Sequence, residues 1–543
     1  MNNFRTNKQP KRFSNSVDGM LRPDISRGIK NPGNVLRQTT RRSDLPVSQG
    51  RLDNFAQTDG FHQPIQPLIN GSERRSIGRQ PKRNPSGMID ISLPPSPPKR
   101  KKQRRLKIFS RRNLLGAVLC VLLIGGFLFG KGYLKLHQIF KGGAEGAAAL
   151  QDGVDPSKLK GEGDGRVNIL LLGRGGEGHS GPDLTDTILI ASIDPIQKKA
   201  ALLSIPRDLY YPKTSNYRVN SIFAEAKGKA LARNASKSDA ENAGFAAVEN
   251  VLEDYLGIPI YYHIMVDFAG FEQAINTVGG VDLNVDATDT VHETLWDELT
   301  RKNYVLDVKQ GNQHFDGQKA LFYARSRYTS PRGDFDRAER QRKLIIALKD
   351  KVVSLGTFAN PIKISQLLDA FGNHIQSNMG LNEAMRLYEI GKNIHSDSIA
   401  TIGLTDPPNN FLTSVNIAGQ SIQQPRAGLT DFSAIQSYVR NTLKDGFLAN
   451  ENATLAVLNG TLTSGLATTK AAELKSFGYT VNMVGDAPTK TYTKTILVDL
   501  TGGTKKYTKH YLEQRLGVMA VNTLPDVNIT NPGNADFVII LGQ

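Results

Sequence analysis

Cysteine is all but absent from this chain: one residue in 543, Cys120. It lies inside the chain's one long apolar run, so everything beyond that run has no disulfide and no thiolate chemistry and relies on ordinary hydrophobic cores. Acidic residues are scarce at the N-terminus. Residues 1–112 hold 25 Lys and Arg against 7 Asp and Glu, a surplus of +18 that exceeds the net +17 of the whole chain, so the remainder is close to neutral. The basic balance therefore belongs to a tail, and no nucleic-acid partner is expected for the folded part.

That tail also lacks any sustained apolar period and is rich in Pro, Ser, Asn, Gln and Gly, ending in "PPSPPKRKKQRRLKIFSRR". It buries too little apolar area to offset ordering, and 1–112 is expected to be disordered. "NLLGAVLCVLLIGGFLFG", Asn113 to Gly130, carries no charge and is closed by Lys131. At about 1.5 Å per residue such a run crosses a bilayer with help from its flanks. A single transmembrane helix over 113–134 follows. The long basic region before it speaks for an uncleaved signal anchor rather than a cleaved signal peptide. The cluster from Lys99 to Arg112 orients it with the tail in the cytoplasm and the rest outside, in the cell membrane, single-pass.

Beyond the anchor, 135–165 is rich in Gly, Ala and Lys and reads as a flexible stalk. "VNILLLG", "TILIASI" and "KAALLSI" are continuous apolar runs of the kind found in the centre of a covered sheet. Helical spacing over Asp239–Leu256, a strand in "IPIYYHIMVDF", a helix in "AGFEQAINTVGG" and a strand in "VDLNV" make 166–445 an α/β layered domain. A helical extension is expected over Asn360–Ser396. After a junction at Tyr438–Asn450, 451–543 alternates strand and helix as a smaller α/β unit. No internal repeat is present.

The most chemically loaded stretch is "YARSRYTSPRGDFDRAERQ", Tyr323 to Gln341, with five arginines and three acids. Near its start Arg325 and Arg327 stand at i and i+2, on one face of an extended segment. Asp334 is placed to cap a helix running to Leu355, whose apolar stripe of Leu344, Ile345, Leu348, Val352 and Leu355 carries Arg337 and Gln341 inward. Two readings follow. The arginines either pair internally with Asp334, Asp336 and Glu339, or Arg325, Arg327 and Arg337 hold phosphate, which guanidinium forks grip bidentately.

"SIPRDLY" puts Arg207 and Asp208 just past a central strand, where ligand sites of α/β sheets gather. "YRVN" adds Arg218 and Asn220. The loop "GRGGEGHSGPDLTDT" offers Asp183 and Asp186, and acids beside so many arginines suggest a divalent cation bridging to phosphate. His179 in this loop could be a ligand, but a lone loop histidine is expected to be simply exposed.

Taken in order, "NILLLG", "LTDTILIASID", "SIPRDLY", "RVNSIFAEA", "GGVDLNV", "GQKALFYARSR" and "GDFDRAERQR" closely resemble the LytR-CpsA-Psr proteins of bacterial cell envelopes. The resemblance covers about Arg166 to Leu355. "VLNGT" through "ADFVIILG" is similar to the small C-terminal domain of LytR-type members. It implies a layered α-β-α domain with a central mixed sheet, and a phosphotransferase that moves a glycopolymer from a polyprenyl-pyrophosphate carrier onto peptidoglycan. It further implies pyrophosphate contacts from Arg207, Arg325, Arg327, Arg337 and Gln341, a basic residue at Arg218, and Mg²⁺ (or Mn²⁺) on Asp186. Asp208 or Asp334 would orient or deprotonate the attacking hydroxyl. Gly175 stands where the family has a second aspartate, and Leu184 where it has an arginine, so Glu177 or Asp183 is expected to assist Asp186. A non-catalytic scaffold and a pyrophosphatase are the rival readings.

Overall fold

The computed structural model describes residues 146–354 and 372–543, apart from positions 299, 373, 406–408, 527 and 329. The expected tail 1–112, the expected span 113–134 and the first part of the stalk lie outside the described residues. Among the described residues no helix is long and apolar enough to cross a membrane.

Strand β1 (Val167–Arg174) is followed by β2 (Thr185–Asp194) and β3 (Lys199–Ser204), the three apolar runs of the sequence. Helix α1 (Ile222–Leu231) precedes α2 (Lys237–Leu256), which the Ser236 side chain caps by accepting from Asp239 N and which Gly257 ends in a left-handed conformation at φ 67°. Then come β4 (Tyr262–Asp267) and α3 (Phe268–Thr277), joined by Asp267, whose carboxylate accepts from Gly270 N. Strands β5 (Val281–Val285), β6 (Val291–Asp297), β7 (Lys302–Val308) and β8 (Gly311–Phe315) form two antiparallel pairs, β5 with β8 and β6 with β7.

Helices α4 (Gly317–Arg325) and α5 (Asp334–Ser354) carry the arginine stretch. Here the structure departs from the expected extended segment. The Asp316 carboxylate accepts from Lys319 N and starts a helix whose Ala320, Leu321, Phe322, Tyr323 and Ala324 are all buried, so Arg325 is a helix C-terminus and Arg327 lies in the loop after it. Asp334 is the first residue of α5, not its cap: Arg337 N donates to Gly333 O, and the Asp334 carboxylate turns to arginines.

The run expected to be helical over Asn360–Ser396 contains α6 (Leu381–Gly391) but also β9 (Ile375–Ser377), which pairs with β4; its positions 360–371 lie outside the described residues. Strand β10 (Ile399–Gly403) follows, then the hairpin β11 (Leu412–Ile417) and β12 (Gln420–Pro425). The main sheet runs β10-β3-β2-β1-β4-β9. It is mixed: β1 pairs in parallel with β4 and β3 with β10, while β2 is antiparallel to both its neighbours. The C-terminal ends of β1, β3, β4 and β10 therefore share one edge, the usual position for a ligand.

Alternation along β1 sends Leu170 and Leu172 to one face, packed with Phe223 of α1 and Phe245, Val248 and Leu252 of α2. Val167 and Ile169 go to the other, against Tyr262, Met379 and Ile390. Ala147, Ala149 and Leu150 join this second core, and Val154 and Leu159 enter the core of the C-terminal unit. The described half of the stalk is thus a packed strap rather than a flexible link, because its apolar residues recur where both cores can take them. Its Gly163 and Gly165 N–H groups donate to buried Asp445, which also accepts from Phe447 and Leu448 N–H.

After α7 (Ser433–Thr442) and α8 (Gly446–Glu451), the C-terminal unit consists of β13 (Thr454–Asn459), α9 (Leu466–Ser476), β14 (Thr480–Asp486), β15 (Ile496–Asp499), α10 (Lys506–Leu516) and β16 (Phe537–Leu541). Its sheet order is β14-β13-β16-β15.

Candidate active site

An apolar cavity of about 270 Å³ opens at the shared strand edge. Its walls are Leu171 and Leu189 of the sheet, Ile264 and Val266 of β4, Phe268 and Phe271 of α3, and Ile345 and Leu348 of α5. Its polar end is Arg207, Arg325, Arg327, Arg337, Asp186 and Gln341. The cavity is oily along its length and cationic at one end.

The arginines are held differently. Arg207 bridges two carboxylates, Asp186 at 2.8 Å and Asp334 at 3.0 Å. Arg337, on the first turn of α5, reaches Asp334 at 3.1 Å, and Arg327 approaches the same carboxylate at 3.6 Å. Internal pairing is therefore real for these three, through Asp334, whereas Asp336 and Glu339 pair with Arg332. Among the described residues Asp186 and Asp334 are the carboxylates seen bridging to this cluster, and its guanidinium groups also act on one another. Arg337 shows it: burial pushes its pKa down to about 10, with the nearby Arg207 adding to the effect, and its Nε is buried without a partner. Arg325 has no carboxylate partner among the described residues and rests on the rings of Phe268, at 4.7 Å, and Phe322, at 5.4 Å.

A smaller recess of about 80 Å³ lies on the far side of the cluster, lined by Asp208, Asp334, Arg342, Thr405 and Gln423. Burial, and then the negative charge of Asp334, raises the pKa of Asp208. Asp334 is the opposite case: burial alone would raise it, but Arg337, Arg207 and Arg327 outweigh that and hold it low. The two acids that sequence left undecided thus sit in opposite surroundings, Asp334 paired with three arginines and Asp208 half-buried in the recess.

Asn220 is fully buried and donates to Asp186 Oδ1 at 3.3 Å, fixing that carboxylate while no bond from the described residues engages its Oδ2. Arg218 turns to the β11–β12 hairpin and donates to Ser421 O at 3.0 Å, with Asp208 its leading electrostatic partner. Gln341 uses its amide N–H on Ala324 O at 3.0 Å and so ties α5 to α4.

Glu177 and Asp183 do not join Asp186. Asp183 pairs with Arg174 at 2.8 Å and Lys227 at 2.9 Å, and both acids line a separate polar cleft of about 810 Å³ beside α1 and α2. Among the described residues no three His, Cys, Asp or Glu side chains gather into a metal cage. The expectation of an exposed His179 also fails: its side chain is 6 % exposed, because Gly175 has no side chain and the imidazole packs into that space. A Cβ on Gly175 would stand 2.9 Å from the His179 Cβ. Nδ1 of His179 meets Glu298 at 3.1 Å, the ring stands edge-on to Phe268, and Nε2 is buried with no partner. Burial lowers the pKa of this imidazole although Glu298 opposes it. His179 and Asp186 both line the apolar cavity, whereas Asp183 and Glu177 line the polar cleft, so a cation at the arginine cluster would be held from the former pair.

Sequence reasoning also missed Arg340 and Arg342. Arg340 is 0 % exposed and donates to Tyr323 O, Ser326 O and Ser330 Oγ, bracing the end of α4, which carries Arg325, and the loop after it, which carries Arg327. Arg342 donates to Ser204 Oγ at 2.6 Å. Both lie off the centre of the apolar stripe that marks the buried face of α5, so helical periodicity gives no sign of their burial.

Two family models match the chain. The LytR_cpsA_psr family model covers residues 133–430, and that of the LytR cell envelope-related transcriptional attenuator covers 452–543. The chain is 31 % identical over 319 residues to the polyisoprenyl-teichoic acid–peptidoglycan teichoic acid transferase TagV of Bacillus subtilis, a match spanning 56 % of this chain and 74 % of that one. It is 26 % identical over 451 residues to the cell wall biosynthesis protein LcpA of Corynebacterium glutamicum, spanning 73 % and 80 %. The crystal structure of B. subtilis TagV aligns over 52 % of this chain and 96 % of its own, at 26 % identity and a TM-score of 0.39.

Proposed function

The chain belongs to the LytR-CpsA-Psr family, and from that premise and the geometry of the site we propose that it transfers a glycopolymer from a polyprenyl-pyrophosphate carrier to peptidoglycan. The observation that carries this reading is the cavity itself, apolar along its length and capped by Arg207, Arg325, Arg327 and Arg337. A prenyl chain matches the walls and a pyrophosphate matches the cap.

With the lipid in the apolar cavity, the sugar-proximal phosphorus faces the guanidinium cluster. The acceptor sugar enters from the recess that holds Asp208. Its hydroxyl oxygen attacks phosphorus while Asp208 takes the proton. The bond from phosphorus to the bridging oxygen breaks, and polyprenyl phosphate leaves with that electron pair. Little covalent work is asked of the protein; Arg207, Arg325 and Arg337 supply positive charge to the phosphoryl oxygens as it shifts. Asp334 keeps Arg207 and Arg337 aimed. The residues that would hold a divalent cation are Asp186 and His179, and it would add further positive charge against the same oxygens.

Incubating the full-length protein with a short-chain lipid-pyrophosphoryl glycan, with and without a peptidoglycan acceptor, tests the reading. Acceptor-dependent transfer with release of polyprenyl phosphate is expected. Turnover that ignores the acceptor would make the protein a pyrophosphatase, and tight binding without turnover a scaffold.

The same reading places the catalytic unit outside the membrane, anchored by the apolar run Asn113–Gly130 with its basic flank inside. Protease added to intact spheroplasts should remove the part after Lys131 and spare an N-terminal epitope. A protected C-terminal unit would overturn this topology.

A further inference from the structure

We propose that His179 is a metal ligand: its Nε2 and a carboxylate oxygen of Asp186 hold a divalent cation that binds only together with the pyrophosphate of the donor. The inference rests on the proposed pyrophosphate site and assigns it a residue and a metal preference.

Three observations converge on this histidine. Its side chain is buried against Gly175, in the wall of the cavity that also holds Asp186 and Arg325. Its Nδ1 is engaged by Glu298, and the same carboxylate oxygen accepts from Ser180 N at 2.8 Å, so both ring and loop are fixed by one acid. Its Nε2 is buried and has no partner among the described residues. A carboxylate that takes the Nδ1 proton leaves the lone pair on Nε2, the arrangement that second-shell acids impose on metal-binding imidazoles. An orphaned buried nitrogen is otherwise a cost without return.

The loop around it is built for this placement. Gly176 is left-handed at φ 84°, Gly176 N donates to Pro182 O, and His179 N donates to Gly176 O, a tight turn that brings residue 179 back over residue 175. At Asp186, Arg207 and Asn220 both occupy Oδ1, leaving Oδ2 for a cation.

Two protein donors are too few to retain a hard cation against water. Arg325, which rests on the same Phe268 ring that His179 meets edge-on and lines the same cavity, also opposes a cation while no anion is present. Pyrophosphate removes both objections, supplying oxygen ligands and neutralising the guanidinium group. One imidazole nitrogen among oxygens shifts the preference from Mg²⁺ towards Mn²⁺.

Mn²⁺ and a farnesyl-pyrophosphoryl monosaccharide test this with the full-length protein in detergent. Spin-echo modulation should show ¹⁴N coupling from one histidine when Mn²⁺ and the probe are both present, and no bound Mn²⁺ without the probe. His179→Ala should lose the coupling and weaken Mn²⁺ binding by about 10- to 100-fold, while metal-free probe affinity stays within about threefold. Glu298→Gln leaves the ring in place and should weaken Mn²⁺ by about tenfold, which guards against a folding defect in the alanine variant. The double variant Gly175→Asp/His179→Gly should bind without ¹⁴N coupling and regain a preference for Mg²⁺. Probe binding without coupling in the wild type, or coupling that survives His179→Ala, overturns the inference alone. Failure of the metal-free wild type to bind the probe overturns the pyrophosphate site, and this inference with it.

Discussion

Asp208→Asn should lower kcat by about 10²- to 10⁴-fold and leave the KM for lipid-linked donor nearly unchanged. The carboxylate lines the recess on the acceptor side of the cluster and not the apolar cavity, so the substitution removes a proton acceptor without touching the lipid's contacts. The pH dependence gives the sign. A base works only when ionised, and burial with the charge of Asp334 raises the pKa of Asp208. The rate of the wild type should therefore climb with pH through a limb above the ordinary range of aspartate, and level off once Asp208 is ionised. In Asp208→Asn the residual rate should lose that limb. Asp334→Asn should behave differently: Arg207, Arg327 and Arg337 all lose their shared anion, so donor binding and stability change together. A pH limb that persists in Asp208→Asn would transfer the proton-accepting role to another group.

Much of this site was legible in the sequence because its chemistry is local. "SIPRDLY" follows a continuous apolar run, which fixes a central strand, so Arg207 and Asp208 had to emerge at its C-terminal end. Arg337 and Gln341 were found because they share a face with Leu344 and Leu348. What stayed hidden depends on partners far along the chain. Nothing in "ALFYARSR" distinguishes a strand from a helix. The decision is made by Asp316 as a cap and by packing of Phe322 on Tyr304, whose rings stack at 4.3 Å. His179 looked like any loop histidine, since its burial follows from Glu298, 119 positions later, and from the missing side chain of Gly175. The strap over 146–165 was misread for a similar reason: its glycines signal freedom, while its sparse alanines and leucines find cores on two different units.

The arginine cluster yields the second large effect, and the structure divides it. Arg325→Ala should weaken donor binding by at least about 30-fold, the loss of a charge-assisted contact worth roughly 2 kcal/mol or more, while the melting temperature barely moves. The reason is that Arg325 makes no direct ion pair among the described residues; what is lost is its stacking on Phe268 and Phe322 and the longer-range attraction of Glu298, Asp297 and Asp186. Arg337→Ala should cost both. Its guanidinium group is buried against Asp334, and removing one member of a buried pair destabilises by about 3 to 5 kcal/mol. Arg207 and Arg327 remain on Asp334, which places the expected loss at the lower end of that range. Arg337→Lys retains the charge but not the planar fork, so stability should recover further than activity. Thermal unfolding with and without the lipid-pyrophosphoryl probe separates the two roles: the wild type gains stability from the probe, and Arg325→Ala starts from the same melting temperature but gains far less. A fall in the ligand-free melting temperature of Arg325→Ala as large as that of Arg337→Ala would mean that both arginines serve the fold, and that the cationic end of the cavity is structural rather than a grip on phosphate.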